Sequence, residues 1–266
     1  MKILTLGSGG AFSDKFGNTQ FFIESDDEQH NLLFDCGATW LENARECNLD
    51  KQKVQNVFIS HLHDDHVAGL GTLALMHYFY PHFTKPTLYI HRSLVHRLWQ
   101  RLAPGLETLA DHQLPEGKLS CQLSDYFNLV TLKSNGVFNI GQDLQCRPVQ
   151  TIHVVHGAEF MDSYGLHITE LSTGYQALIT SDTQFAPDQL KARSEIVDII
   201  YHDCETTPGF KSGVHAHIED LATLPLEVKE KMLLCHYGDN IDNWVDFIKQ
   251  EGFRGVIKRT EIFTNK

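Results

Sequence analysis

The stretch that decides the fold is VFISHLHDDH, residues 57–66. It begins with a short apolar run, which is typical of a buried strand. Three histidines and an aspartate follow within six residues, namely His61, His63, Asp65 and His66. Imidazole and carboxylate groups are ligands that borderline metals such as zinc prefer. The stretch therefore predicts a metal site on the loop leaving a buried strand, rather than a histidine-rich surface loop.

The spacing of these four residues divides them into two pairs. His61 and His63 are two residues apart, so both side chains can point the same way. Asp65 and His66 fall at the start of a helix predicted over residues 66–80, where apolar residues recur at helical spacing. From that position they can turn toward a second ion.

Composition places the chain among ordinary globular proteins. With 266 residues, 42% of them hydrophobic, it can bury a full core in one α/β domain. No apolar run approaches the roughly 20 residues needed to cross a membrane, and the N-terminal stretch lacks the pattern of a secretory signal. Six scattered cysteines without a CxxC pair favour free thiols. A cytoplasmic location is expected.

The charge balance bears on the substrate. The net charge is −12, from 22 basic and 34 acidic residues. Proteins that grip a long polyanion usually carry a basic face, so a nucleic-acid polymer is disfavoured. Histidine is the unusual residue type, with sixteen copies.

Short apolar runs alternate with amphipathic stretches along the whole chain, with no linker between two halves. Strands are predicted at residues 3–6, 20–24, 31–34, 57–60, 88–91, 129–133, 144–151, 164–170, 176–180, 197–202, 232–236 and near 256–263, and further helices at 39–47, 93–102, 187–192 and 241–250. This order predicts two sheets facing each other with helices outside. Residues 103–127, which include Tyr126 and Phe127, are predicted to form a lid or dimer contact.

The HxHxDH pattern of residues 61–66, and its place after the early strands, resemble the metallo-β-lactamase superfamily. This resemblance implies a single domain over residues 1–266, with a four-layer αβ/βα sandwich and metals at one edge of the paired sheets. The family's other ligands are a histidine after a later strand, a bridging aspartate at a strand end and a final histidine. The sequence offers these in order as His153, Asp182 and His236.

Each of these assignments has an alternative. His153 competes with His156, and is preferred because it closes an apolar run. Asp182 could instead cap a turn, and His236 could be a core histidine. Asp35 resembles the family's aspartate that orients metal ligands, or it could be a turn residue before a glycine.

The resemblance implies two ions, expected to be Zn²⁺ with Mn²⁺ as an alternative. The expected ligands are His61, His63 and His153 for one ion and Asp65, His66 and His236 for the other, with Asp182 as the bridge. Two cations neutralise charge during displacement at phosphorus and lower the pKa of a shared water.

The segment GFKSGVHAHI, residues 209–218, narrows the choice within the superfamily. A histidine here resembles the phosphodiesterase branch that includes the tRNA 3′-processing enzymes, where it gives a proton to the leaving oxygen. His217 aligns best with that role, with Glu205 as its carboxylate partner, and His215 is expected at the phosphate. Asp65 is predicted to be catalytic as well as a metal ligand. Surface histidines on a loop are the alternative.

A closer resemblance is to the anti-Pycsar phosphodiesterases. Matching stretches include GSGGAF at 7–12, TQFAP at 183–187, DCET at 203–206 and KSGVHAH at 211–217. That family implies hydrolysis of 3′,5′-cyclic mononucleotides (cCMP, cUMP, cAMP and cGMP), control of a cyclic-nucleotide immune signal, and a homodimer whose partner covers the site.

Two other functions remain open at this stage. A tRNase Z-like nucleic-acid phosphodiesterase is disfavoured, because strands fill the short interval from His153 to Asp182 and leave no room for a tRNA-gripping arm. A different hydrolase of the fold, or a non-catalytic binder, is the other, although a binder would be expected to have lost some ligands.

Overall fold

Two seven-stranded sheets face each other in the computed structural model, which describes residues 1–109 and 119–265. The strands of the first sheet are β1 (Lys2–Gly7), β2 (Gln20–Glu24), β3 (Asn31–Phe34), β4 (Asn56–Ile59), β5 (Thr87–His91), β8 (Asn128–Leu132) and β18 (Ile262–Thr264). Their order across the sheet is β18-β1-β2-β3-β4-β5-β8. From β3 to β8 neighbouring strands are parallel.

The second sheet is built from the second half of the chain. Its strands are β9 (Phe138–Ile140), β10 (Leu144–Thr151), β13 (Ser163–Glu170), β14 (Gln176–Ile179), β15 (Ile199–Asp203), β16 (Met232–Cys235) and β17 (Gly255–Val256). Their order is β17-β16-β15-β14-β13-β10-β9. Two small ribbons pair β6 (Thr108–Leu109) with β7 (Leu119–Ser120) and β11 (Val155–His156) with β12 (Glu159–Phe160).

Helices cover the outer faces of both sheets. They are α1 (Trp40–Glu46), α2 (Asp64–Val67), α3 (Leu70–Phe79), α4 (Val95–Leu106), α5 (Leu123–Tyr126), α6 (Pro187–Ser194), α7 (Ile218–Leu221), α8 (Leu226–Lys229) and α9 (Val245–Gln250), with 3₁₀ turns at Lys51–Lys53 and Ile241–Trp244. Within the described residues, no helix combines the length and the apolar character that a bilayer span requires.

Aromatic side chains fill the space between the two sheets. Phe21 of β2 meets Tyr201 of β15 with ring centroids 5.2 Å apart. Phe138 of β9 stacks on Phe58 of β4 and on Tyr89 of β5. A fully buried aromatic side chain of this kind stabilises a fold by about 1.5–3 kcal/mol. This central layer holds the sheets together, and the predicted four-layer sandwich is confirmed.

Strand direction brings the functional loops to one edge of the sandwich. Strands β14, β15 and β16 are mutually parallel, and β10 runs the same way because both it and β14 are antiparallel to β13. The carboxyl ends of these strands therefore share an edge. Two cross-sheet bonds hold the loops that follow β4 and β1 beside that edge: the Tyr164 N–H donates to the Ser60 carbonyl, and the His236 N–H donates to the Ser8 carbonyl.

Two predicted elements are divided in the structure. The helix predicted over residues 66–80 breaks into α2 and α3 at Gly69, whose N–H donates to the Cys36 carbonyl. The strand predicted near 256–263 becomes two, because β17 pairs in the second sheet and β18 crosses to pair with β1 in the first.

The described parts of segment 103–127 contain regular elements. The segment begins with the last turn of α4 and ends with α5, and residues 110–118 of the predicted lid lie outside the described residues. Tyr126 and Phe127 are each only 1% exposed, and the Tyr126 hydroxyl donates to the Leu106 carbonyl. Both side chains belong to the core, so the prediction that they form a lid or dimer contact is wrong for these two residues.

We predict that Gly37→Ala destabilises the fold. A Cβ at Gly37 would lie 1.9 Å from the backbone carbonyl oxygen of Asp65 in α2. Overpacking of this kind costs about 1–3 kcal/mol, which urea denaturation would measure. Gly71→Ala is the matched control, since its Cβ would meet nothing closer than 3.9 Å and a helical alanine stabilises by about 0.5–1 kcal/mol. Equal stability of the two variants would contradict this prediction.

Candidate metal centre

Three imidazoles converge at the end of β4. His61 Nε2 lies 3.2 Å from His63 Nδ1, and His153 Nε2 lies 3.1 Å from the same atom. With zinc–nitrogen bonds of about 2.0–2.1 Å, the edge of a tetrahedral site is about 3.3 Å. The three nitrogens are thus spaced as the ligands of one cation would be. His156, in contrast, is exposed on β11, so the structure brings His153 and not His156 to the cluster.

A second group forms where α2 begins. Asp65 Oδ2 lies 3.2 Å from His66 Nε2 and 3.1 Å from His236 Nε2. All three residues are buried. Their three ligand atoms are likewise close enough to share one cation.

Asp182 stands between the two groups. Its Oδ2 lies 3.6 Å from both His61 Nε2 and His153 Nε2, whereas its Oδ1 lies 3.1 Å from His66 Nε2 and 3.3 Å from His236 Nε2. Each oxygen of one buried carboxylate therefore faces a different group. This is the arrangement that a bridging ligand requires.

The rings are oriented by partners on their far nitrogens. His61 Nδ1 bonds Ser60 Oγ at 3.0 Å, His66 Nδ1 bonds Asp35 Oδ2 at 2.8 Å, and His153 Nδ1 bonds the Val214 carbonyl at 2.8 Å. A proton fixed on Nδ1 leaves the Nε2 lone pair directed at the centre, as metal ligation needs. His63 is the exception, because its Nδ1 faces the other ligands.

Asp35 supports both groups at once. Its carboxylate accepts from His66 Nδ1–H, from the Ser60 N–H and from the Ser60 hydroxyl, each at 2.8 Å. Ser60 in turn accepts from His61. The residue thus orients one imidazole of each group, in keeping with the ligand-orienting role expected from the sequence.

Hydrogen bonds from the described residues leave some buried polar atoms of the cluster without a partner. His66 Nε2 and Asp182 Oδ1 are fully buried and make no hydrogen bond within the described residues. Burial, followed by the charge of neighbouring His66, holds the pKa of His61 well below its usual value, which keeps that imidazole neutral. A neutral His61 imidazole, together with buried nitrogen and oxygen atoms that lack a hydrogen bond, fits a divalent cation.

Strained backbone marks the same edge. Asp35, Ser181 and His236 adopt positive φ angles of 62°, 55° and 61° at the ends of β3, β14 and β16. Non-glycine residues seldom occupy this region, and such strain concentrates at functional sites. At these positions the chain turns sharply out of a strand, and the turn presents Asp35, Asp182 and His236 to the centre.

The loop after β15 places His215 beside the cluster. Its Nδ1 lies 2.7 Å from Asp203 Oδ2 and 4.0 Å from Asp182 Oδ2. Asp203 also approaches His236 Nδ1 with its other oxygen at 3.3 Å, and accepts from the Thr183 N–H. Burial lowers the pKa of His215, but the Asp203 carboxylate outweighs burial and raises it.

His217 lies elsewhere, and its predicted pairing with Glu205 is wrong. The imidazole is 1% exposed, its Nε2 bonds the Thr207 carbonyl, and its Nδ1 accepts from the Glu219 N–H at the start of α7. The Glu205 carboxylate instead accepts from the N–H and hydroxyl of Ser212. Two backbone bonds link the segments around the two residues: the Glu205 N–H donates to the Ala216 carbonyl, and the Ile218 N–H donates to the Glu205 carbonyl. The structure therefore turns His215, rather than His217, toward the ligands.

Asp203 is the residue that sequence reasoning missed. It ends β15 and pairs in register with Cys235 of β16, the residue directly before the candidate ligand His236. The signal was present, because an acidic residue closing an apolar strand is the same pattern that picked out Asp182.

A cleft of about 420 Å³ opens next to these residues. Its lining comes from three loops and includes Phe12, Phe210, His215 and His236. A small molecule in the cleft would contact the face of the cluster that carries His215.

A family model described as Anti-Pycsar protein Apyc1 matches residues 1–263. The chain belongs to this family. An Anti-Pycsar protein Apyc1 of Bacillus phage 010DV004 is 30% identical over 257 residues, which cover 95% of this chain and 93% of the relative. The homologue of the same description from Paenibacillus xerothermodurans is 32% identical, covering 92% and 91%. The predicted family is confirmed.

Solved structures support the same fold. The metallo-β-lactamase fold protein YhfI from Bacillus subtilis superposes with a TM-score of 0.73 at 19% identity, covering 98% of both chains. Human tRNase Z, short form, superposes with a TM-score of 0.68 at 17% identity over the whole of both chains. At these identities the likeness establishes the metallo-β-lactamase fold and nothing more.

We predict that Asp35→Asn weakens metal binding. An amide can accept from Ser60 on one side but must present its own N–H₂ group to the donors on the other. Loss of such an orienting partner typically lowers metal affinity about 10–100-fold, which competition with a chromophoric chelator would measure. Asp50→Asn is the control, because Asp50 is exposed and caps a distant 3₁₀ turn. Unchanged affinity in Asp35→Asn would remove Asp35 from the account of the centre.

Proposed function

We propose that the protein is a dinuclear, metal-dependent phosphodiesterase that opens 3′,5′-cyclic mononucleotides to linear nucleotides. The observation that carries the proposal is the pair of ligand groups sharing Asp182, set beside a cleft lined by His215 and His236. Membership of the Anti-Pycsar family supports the same substrate class. The proposed substrates are cCMP, cUMP, cAMP and cGMP. The biological role that follows is removal or control of a cyclic-nucleotide immune signal.

The donor set suits zinc, with Mn²⁺ as the alternative. Imidazole-rich groups with carboxylates are typical of zinc and related transition metals. We propose His61, His63 and His153 as ligands of one ion and Asp65, His66 and His236 as ligands of the other, with Asp182 shared. Cations bound there supply charge neutralisation for the phosphodiester and activate water for attack at phosphorus.

We propose His215 as the general acid. Its Nδ1–H is held by Asp203, and its Nε2 makes no hydrogen bond within the part of the chain that the structure describes. An alkoxide leaving group departs readily only with a proton, and an imidazole whose pKa is raised retains that proton near neutral pH. Transfer from Nε2 to the leaving ribose oxygen would complete cleavage of the ring. This role replaces the one expected for His217.

The interval between the two ligands His153 and Asp182 bears on the nucleic-acid alternative. It holds the short exposed ribbon of β11 and β12, with two residues in each strand, and then β13 and β14, which belong to the second sheet. A small cyclic substrate therefore fits this chain better than a tRNA-like polymer.

We also propose a cytoplasmic homodimer. All six cysteines are free, five of them buried, which fits a reducing compartment. The homodimer rests on the resemblance to the anti-Pycsar phosphodiesterases. Light scattering should give twice the 30.2 kDa chain mass, and a fully active monomer would contradict the dimer.

The direct test of function is a substrate panel. Purified protein is incubated with cyclic mononucleotides, a cyclic dinucleotide and a precursor tRNA, with and without a metal chelator. We expect linear mononucleotides from the first class, loss of that activity with chelator, and recovery on adding Zn²⁺ or Mn²⁺. Cleavage of precursor tRNA alone would select the alternative function instead.

The exchange of roles between the two histidines predicts opposite behaviour of their variants. His215→Ala should lower kcat on a cyclic nucleotide by about 10²–10⁴-fold, the usual contribution of a general acid. The loss should shrink on a p-nitrophenyl phosphodiester, whose leaving group needs no proton. His217→Ala should reduce stability and affect both substrates equally, because it removes the cap of α7 and the bond to Thr207.

The raised pKa of His215 also predicts how kcat depends on pH. Catalysis by the acid form persists below the pKa of His215 and falls as the pH rises through it, so wild-type kcat should decline on the alkaline side. His215→Ala should lose that decline. If instead His217→Ala abolishes it, the assignment is reversed.

A further inference from the structure

Two exposed phenylalanines stand at the cleft of about 420 Å³. Phe12 is 97% exposed and Phe210 is 59% exposed, yet both line the same cavity as His215 and His236. Its volume falls within the range of about 300–1,000 Å³ that is usual for small-molecule sites. Large apolar side chains exposed together at such a place mark a binding surface.

The loop that carries Phe12 is firmly anchored. Gly10 N–H donates to the Tyr237 carbonyl at 3.0 Å, and Ser13 Oγ donates to Asp239 at 2.6 Å. Asp239 also accepts from the backbone N–H groups of Asp14 and Lys15. The ring of Phe12 is therefore presented to solvent by a braced backbone.

Phe210 is presented in a comparable way from the opposite loop. The Glu205 carboxylate accepts from the N–H of Ser212 at 2.8 Å and from its hydroxyl at 3.0 Å. Gly209 and Gly213 flank this anchor with φ angles of 69° and 75°, a conformation that favours glycine. The loop that fixes Phe210 continues directly into His215.

Polar side chains in the cleft are largely engaged with one another. Ser13 bonds Asp239, Thr206 Oγ1 donates to Asn240 Oδ1 at 2.7 Å, and Ser212 bonds Glu205. These groups have little capacity left for a ligand. The available surface for a flat ring is therefore aromatic and aliphatic.

We propose that Phe12 and Phe210 are the aromatic surfaces on which the nucleobase of the substrate stacks. This inference rests on the proposed function, because the phosphate of a cyclic nucleotide held at the ligand cluster leaves its base to occupy the adjoining cleft. Every base has a π-face, so stacking on aromatic side chains holds purines and pyrimidines alike. Glu205 is a positioning residue in this scheme, since it anchors the loop that carries Phe210.

The test compares substrates with and without a base. Kinetics of wild type, Phe12→Ala, Phe210→Ala and the double variant are measured on cAMP and on methyl riboside 3′,5′-cyclic phosphate, which lacks the base. Each substitution should raise KM for cAMP by roughly 5- to 100-fold, the effect expected from losing one stacked ring. Values for kcat, and all values for the base-free compound, should stay near those of wild type.

Two further variants separate stacking from structure. Phe210→Tyr keeps an aromatic face and should restore KM for cAMP. Leu171→Ala is the control, because Leu171 is 49% exposed but follows the end of β13 farthest from the site. Leu171→Ala should leave KM and kcat unchanged on both substrates.

The outcomes distinguish the two levels of the proposal. If wild type hydrolyses both compounds and the phenylalanine variants impair both equally, the stacking role is overturned while the proposed function stands. Loss of the dimer in Phe12→Ala, with equal impairment on both compounds, would assign the ring to a subunit contact and also overturn it. If wild type hydrolyses neither compound, the proposed function itself fails.

Discussion

The organisation of the site depends on one carboxylate with two faces. Asp182 directs Oδ2 at His61 and His153 and Oδ1 at His66 and His236, all within 3.1–3.6 Å. Burying so many imidazoles and carboxylates is costly unless their charges and lone pairs are compensated. The two cations that we propose on either side of Asp182 would provide that compensation. The parallel strands, the three left-handed residues at strand ends and the support from Asp35 all serve to hold this carboxylate between its partners.

The loop between β15 and α7 joins the chemistry to the substrate cleft. Within a few residues it supplies the Val214 carbonyl that orients His153, the imidazole of His215 and the ring of Phe210. Glu205 anchors this loop through Ser212, while Asp203, at the end of the preceding strand, bonds His215. A disturbance here would therefore affect the proposed metal ligation, proton transfer and substrate binding together.

The sequence was sufficient to predict the sandwich and the residues that meet at its edge, because the candidate ligands occupy strand ends and a contiguous motif. It was insufficient for side-chain direction on the irregular loop, where His215 and His217 are two residues apart. Gly213, at φ 75°, turns the chain so that His215 faces Asp203, whereas His217 turns inward to cap α7. For the same reason the sequence predicted Glu205 as the carboxylate partner of the catalytic histidine, whereas the carboxylate that bonds His215 is Asp203. The break at Gly69 likewise depends on a contact with Cys36, distant in sequence.

Metal stoichiometry tests the central claim most directly. Elemental analysis by mass spectrometry, on wild type and on Asp182→Ala purified without added metal, counts the ions held by each chain. The bridging role predicts about two transition-metal ions per wild-type chain and at least one fewer when the shared carboxylate is absent. Active wild-type protein that holds no stoichiometric transition metal, or an Asp182→Ala variant that retains both ions and near-normal turnover, would contradict the account.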